Sequence, residues 1–303
     1  MSQPIRNALT VDVEDFFHVS AFENIIHPAS WDSLESRVAA NTRRVLDLFA
    51  AHDLKGTFFI LGWVARRHPD LIRDICGAGH EIACHGMGHQ RIHTLTPGQF
   101  RQDVAEAKAL LEDITGTVVM GYRAPSYSIT RRTLWALDIL IEEGFSYDSS
   151  LFPIIHDLYG IPGACPHPHR IVLPVGEILE FPLSTLRLDF GAQTLAIPVA
   201  GGGYLRLFPG WFISWALSRI NAREGKPGVL YFHPWELDPA QPRVQAGFKS
   251  RFRHYLNLDK TEGRLHRLFA TLDFAPMGMV LGACDALPLV LLDTQQGIAT
   301  GRP

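Results

Sequence analysis

The residues able to do chemistry fall in five short clusters. The first is Asp12-Val13-Glu14-Asp15, three carboxylates in four residues behind an apolar stretch. Carboxylates there are costly unless they bind a cation or work as acid or base; the plain alternative is a solvated strand-to-loop turn. The second is His85-Gly86-Met87-Gly88-His89, where two imidazoles four residues apart can share one metal across a glycine turn, or be surface loop histidines. Cys84 beside them reads as a small core residue and His93 as supporting structure. The third is Arg123-Ala124-Pro125-Ser126-Tyr127, whose guanidinium could hold a carboxylate through a bidentate pair. The fourth, Asp148-Ser149-Ser150, could equally cap a helix. The fifth is Tyr231-Phe232-His233-Pro234-Trp235-Glu236, with a histidine placed for general acid work. His167 and His169 read as loop.

These clusters follow apolar runs that alternate with helical patterns. Strands are predicted at Asn7–Val13, Gly56–Leu61, Glu81–Cys84, Thr117–Tyr122, Phe145–Ser149, Ile178–Pro182, Thr194–Val199 and Gly228–Phe232. Helices are predicted at Ser33–Ala51, Pro69–Gly77, Pro97–Thr115, Arg131–Glu143, Pro209–Arg223 and Arg251–Asp273. Pro97–Thr115 carries the fullest signature: Thr96 as N-cap, Gln99 closing a capping box and Gly116 as the stop. Leu151–His169, with Pro153, Pro162, Pro166 and Pro168, reads as loop. Strand–helix alternation implies parallel strands with helices outside, and about seven central strands suit a barrel or a strongly curved sheet. In such folds the chemistry sits at the carboxyl ends of strands, where these clusters lie.

Composition narrows the classes. With 47% hydrophobic and 19% charged residues, the chain is neither disordered nor fibrous. Twenty-eight Lys and Arg against 31 Asp and Glu give a net charge of −3, which disfavours nucleic acid and a polybasic membrane patch. Four cysteines without a C-x-x-C pair make no disulfide framework. No secretory signal and no apolar run long enough for a span are visible, so the expectation is a cytoplasmic protein, with peripheral membrane contact through Leu207–Trp215 as a further option.

Taken in order, the clusters resemble the polysaccharide deacetylase family, also called the NodB-homology or carbohydrate esterase 4 family. The phrases TVDVEDFFHVSAF, HGMGHQ, GYRAPSYSI, YDSSLFPIIHDLYGIP and YFHPWELDP are most similar to its exosortase/PEP-CTERM-locus branch. The resemblance covers about Leu9 to Pro239. It implies a distorted (β/α)7 barrel over residues 1–239 with a helical C-terminal extension over 240–303 packed on it, its last residues frayed. It also implies a divalent metal, usually zinc, and hydrolysis of N-acetyl groups on hexosamines. Carried over, Asp12 is the general base, Arg123 orients it, His85 and His89 are metal ligands, and His233 is the general acid. Tyr127 lies where a backbone N–H faces the oxyanion, and Asp148 and Trp235 line the substrate side. The commonest family pattern has two adjacent aspartates, but Val13 occupies the second place, so the carboxylate ligand is Glu14 or Asp15. Strand parity puts Asp12 and Glu14 on one face.

Related enzymes with Glu at this point, such as the allantoinase branch, work without metal, so metal-free cleavage of a cyclic amide is the second reading. A carbohydrate-binding protein that has lost catalysis is the third. The implied partner is an acetylated glycan or a lipid- or nucleotide-linked sugar precursor of an exopolysaccharide. Trp63, Trp211, Trp215 and Trp235 could stack on sugars or pack in the core. Gly201-Gly202-Gly203 reads as a loop over the groove or a plain turn.

Overall fold

The computed structural model describes residues 5–156, 159–191, 193–284, 286–293 and 298–300. Chain order runs β1 (Asn7–Val13), α1 (Val38–Ala51), β2 (Thr57–Ile60), α2 (Gly62–Arg67), α3 (Pro69–Gly77), β3 (Glu81–Cys84) and α4 (Pro97–Thr115). β4 (Gly121–Tyr122), α5 (Trp135–Glu142), β5 (Tyr147–Asp148), β6 (His169–Leu173), β7 (Gly176–Glu180), β8 (Thr185–Phe190) and β9 (Gln193–Pro198) follow. The chain continues through α6 (Gly203–Leu207), α7 (Gly210–Glu224), β10 (Val229–Phe232), α8 (Phe248–Tyr255) and α9 (Leu258–Phe269). Its described residues end with β11 (Phe274–Ala275), α10 (Met277–Gly282), β12 (Leu289–Asp293) and β13 (Ile298–Thr300).

The sheet order is β10-β1-β2-β3-β4-β5-β7-β6-β12-β13, with β11 on β1. Every neighbouring pair from β10 to β7 is parallel. This is the α/β architecture expected, a curved parallel sheet with helices outside. Among the described residues β7 and β10 share no ladder. The gap is bridged where Ser184 Oγ accepts the Val229 N–H at 2.7 Å and where Gly201 pairs with Tyr231. That pairing explains Gly201: a Cβ there would lie 1.8 Å from the Tyr231 carbonyl oxygen. The 201–203 stretch therefore starts as a sheet contact and leads into α6.

Strand parity decides what faces inward. Leu9, Val11 and Val13 pack in the same cluster as Val45 and Phe49 of α1, and Phe58, Ile60, Ile82, Cys84, Leu230 and Phe232 join them. Ala8, Phe59, Ala83, Val229 and Tyr231 form the opposite, inner cluster. Stepping by two, the inner face continues into Asp12, His85 and His233 at the carboxyl ends. Cys84 accordingly lies in the outer core.

Several elements depart from their predicted limits; α5, for one, starts at Trp135 rather than Arg131. α1 starts at Val38, because residues Pro28–Ser33 form a 3-10 turn and the helix is capped from outside. Asp15 Oδ2 accepts the N–H groups of Arg37 at 2.7 Å and Val38 at 3.0 Å. The predicted fourth strand shrinks to Gly121–Tyr122. The predicted helix over Arg251–Asp273 breaks into α8 and α9, with Asn257 left-handed at φ 51°. The fraying expected at the end of the chain falls partly on residues 294–297 and 301–303, which lie outside the described residues; Ile298–Thr300 pairs with β12.

Candidate active site

Arg123 organises the inner end of the sheet. It is fully buried, above the ring of Phe59 at 4.1 Å. Its Nη1 donates to Asp12 Oδ1 at 2.6 Å and to Thr10 Oγ1 at 2.9 Å, and Nε and Nη2 donate to the carbonyl and hydroxyl of Ser149 at 3.1 and 2.9 Å. Asp12 is thus fixed through one oxygen, and its Oδ2 faces His233 Nε2 at 3.9 Å.

Glu14, His85 and His89 converge beside this pair, their donor atoms all within 4.8 Å of one another. His85 Nδ1 sits 2.8 Å from the Arg123 carbonyl oxygen. A carbonyl only accepts, so Nδ1 carries the proton and Nε2 keeps its lone pair. Burial lowers His85 to about 4, which keeps that lone pair at neutral pH. The Gly86 turn, at φ 74°, brings His89 round; His89 itself is left-handed at φ 52°. Glu14 Oε2 approaches His89 Nε2 to 2.7 Å yet is a buried acceptor without an aligned hydrogen bond. A carboxylate oxygen and an imidazole nitrogen converging at 2.7 Å, together with the His85 lone pair, suit a divalent cation. Burial would raise the Glu14 carboxyl, but the facing His89 and His233 imidazoles hold it well below the ordinary carboxylate range.

Asp15 takes no part in this group. Its carboxylate accepts the Phe16 N–H, the Ser36 hydroxyl and the α1 amides. Parity thus separates the two candidates: Glu14 turns inward with Asp12, and Asp15 turns to α1.

His233 closes the site from the carboxyl end of β10. Its Nε2 lies 3.3 Å from Glu14 Oε1, and its Nδ1 lies 2.7 Å from Glu236 Oε1. Burial alone would lower this imidazole; Glu14 and Glu236 overcome it and push it up to about 9.

The remaining candidates are placed differently. The Tyr127 N–H donates to the Ala124 carbonyl at 3.0 Å, inside its own turn. Asp148 is fully buried, accepts the Ser150 hydroxyl at 2.6 Å, and is paired in register with Glu180. Trp235, 4% exposed, is stacked between His233 and His254 at 5.1 and 4.2 Å. Trp63 packs against Phe17, His18 and Trp31, whereas Trp211 and Trp215 are exposed on α7. Glu236 and Ser149 stand in the sequence clusters without an assigned partner, and Arg206 and Glu180 stand outside them. The spacing His233-x-x-Glu236 was the available signal for the first; the others are brought in only by the fold.

Comparison with known proteins adds a family. Residues 29–140 match the polysaccharide deacetylase family model, and residues 149–282 match a domain of unknown function, DUF3473. A peptidoglycan deacetylase of Helicobacter pylori is 32% identical over 108 residues, 36% of this chain and 36% of that protein. A chitooligosaccharide deacetylase of Rhizobium leguminosarum bv. trifolii is 28% identical over 99 residues, 33% of this chain and 43% of that one. The matched stretch thus spans less than half the length of these curated relatives. A solved Mycobacterium smegmatis protein, named for polysaccharide deacetylase, aligns over 93% of this chain and 92% of its own at a TM-score of 0.61 and 22% identity, a likeness of fold. The family model over residues 29–140 and the curated relatives agree on a similarity to polysaccharide deacetylases.

Proposed function

We propose that the protein hydrolyses N-acetyl groups on hexosamine units of a glycan. The observation carrying this reading is the arrangement itself: an Arg123-held Asp12 and a Glu236-held His233 flank the Glu14, His85 and His89 donors. Glu14, His85 and His89 would hold the divalent cation. When bound, it would supply Lewis-acid polarisation of the acetyl carbonyl and ease deprotonation of water.

The chain's own groups supply the proton transfers. Asp12 Oδ1 is occupied by Arg123, so Oδ2 takes the proton from the attacking water. The water oxygen bonds the carbonyl carbon, the carbon–nitrogen bond breaks, and His233 Nε2 gives its proton to the departing amine. Arg123 holds Asp12 in place and aimed, and the apolar inner cluster limits water around both groups.

Peptidoglycan and chitooligosaccharides, named for the curated relatives, are the first substrates to test. The finer reading, resting on the exosortase-branch phrases, is an exopolysaccharide or its cytoplasmic lipid- or nucleotide-linked precursor. Peripheral membrane contact fits the exposed Leu207, Trp211 and Trp215; Trp211→Ala with Trp215→Ala should then reduce sedimentation with anionic vesicles, and equal sedimentation speaks against it.

The test is metal content and acetate release, using protein purified without a metal-binding tag. The expected result is about one divalent ion per chain, lost in His85→Ala together with acetate release. Acetate release from protein that holds no metal, even after reconstitution, would favour the metal-free amide hydrolase. Glycan binding with no acetate release would favour the binding protein.

A further inference from the structure

We infer that Glu236 and Arg206 are positioning residues for His233, and that the backbone of residues 253–256 completes the site by holding Arg206. The inference rests on the proposed hydrolase reading, in which His233 Nε2 delivers a proton, and concerns what holds that nitrogen in place.

Four links run from the imidazole to the C-terminal helices. His233 bonds Glu236 Oε1 twice, through Nδ1 at 2.7 Å and the backbone N–H at 3.0 Å. The other Glu236 oxygen accepts from Arg206 Nε at 2.5 Å. Arg206 Nη1 then donates to the carbonyl oxygens of Arg253, His254 and Leu256 at 3.0, 2.7 and 3.2 Å. The Arg206 carbonyl in turn accepts from Asn257 Nδ2 at 2.9 Å and Arg264 Nη1 at 2.6 Å. Glu236 is fully buried and Arg206 is 3% exposed, so neither is a solvated surface ion. The ring stack His233–Trp235–His254 runs parallel to this path and ends on the same helix.

The chemistry follows from the acceptor. An ionised carboxylate can only accept, so Glu236 fixes the Nδ1 proton and leaves Nε2 facing Asp12 and Glu14. One carboxylate oxygen sees the imidazole and the other sees a guanidinium, which fixes both rotation and tilt. Arg206 is needed because a buried carboxylate without a cation would take up a proton or turn away. The bare carbonyls at the end of α8 suit a planar donor fork, since the last carbonyls of a helix lack partners within it. This gives the helices that follow β10 a role in the site.

The experiment combines kinetics with histidine 15N spectra of the full chain, the His233 signals being assigned by their loss in His233→Gln. Wild type should show His233 with its proton on Nδ1; a neutral imidazole with its proton on Nε2 would overturn the inference. Glu236→Gln should lower kcat roughly 10–100-fold with KM within about twofold and metal content unchanged. It should also shift the Nδ1 signal. A folded Glu236→Gln protein with wild-type kcat and an unmoved Nδ1 signal would overturn it too. Arg206→Lys keeps the charge but not the fork; it should give a smaller loss of the same kind, and serves if Glu236→Gln does not fold. If wild type releases acetate from no acetylated glycan, the hydrolase reading fails and the 15N tautomer alone decides the positioning claim.

Discussion

Arg123 and Asp12 show how a single buried pair ties catalysis to stability. Arg123 has no exposed surface and Asp12 is 2% exposed, so deleting the guanidinium takes the hydrogen-bonded cation from a buried carboxylate and leaves it only the more distant His233. Arg123→Met is expected to cost about 3–5 kcal/mol in urea unfolding and to abolish turnover; a cost below about 1 kcal/mol would show that Asp12 stays hydrated or protonated without it. Asp12→Asn keeps the shape of the pair, and should lose turnover by a factor of roughly 100 or more while binding metal as before. Full activity would remove Asp12 from the base role. The placement of Asp12, His85, Arg123 and His233 at strand ends was legible because strand ends can be read from apolar runs and a two-residue period. The enclosure of Asp148 and Trp235 was not legible, because register and ring stacking bury them only once the fold has formed.

Among elements, α1 is held by a residue from another segment. Asp15 supplies the acceptor that the first turn lacks, and takes the Ser36 hydroxyl as well. Asp15→Ala should therefore destabilise by about 1–3 kcal/mol, read from chemical denaturation, with hydrogen exchange fastest at the start of α1. An unaltered midpoint would mean that water replaces the cap at no cost. At Gly201 the φ is 142° and the Tyr231 carbonyl leaves no room for a side chain. Gly201→Ala should lower the unfolding temperature and loosen His233, which follows Tyr231 by two residues; an unchanged temperature would show that β10 can shift. The capping box of α4 was readable from Thr96 and Gln99 because both partners are local in sequence. The cap of α1 was not, because its donor and acceptor meet only after β1 and α1 have packed.

Across the whole molecule, the interior also stores protons. Burial pushes Asp148 from 3.8 up to about 6, and burial beside Asp148 drives Glu180 well above its ordinary value. Folded protein then keeps a proton that the unfolded chain has already released. Stability contributed by Asp148 is present below its unfolded value of 3.8 and is lost as pH rises towards about 6. Asp148→Asn should flatten the dependence of unfolding temperature on pH across that window; an unchanged slope would show that Asp148 ionises freely in the fold. The parallel sheet and its outer helices were legible from alternating strands and helices, whereas β6 was hidden at the end of the proline-rich stretch read as loop, and β12 was not legible because its partner β6 lies far off in sequence. The strand order has a kinetic corollary. β1, β2, β3, β4 and β5 pair in the order in which they are made, but β10 must return to the free side of β1. Until residue 229 emerges from the ribosome, the edge that will receive β10 is bare, and Asp12 waits without His233. During synthesis the chain therefore passes through an inactive, sticky stage, and chaperone demand should peak just before β10 docks.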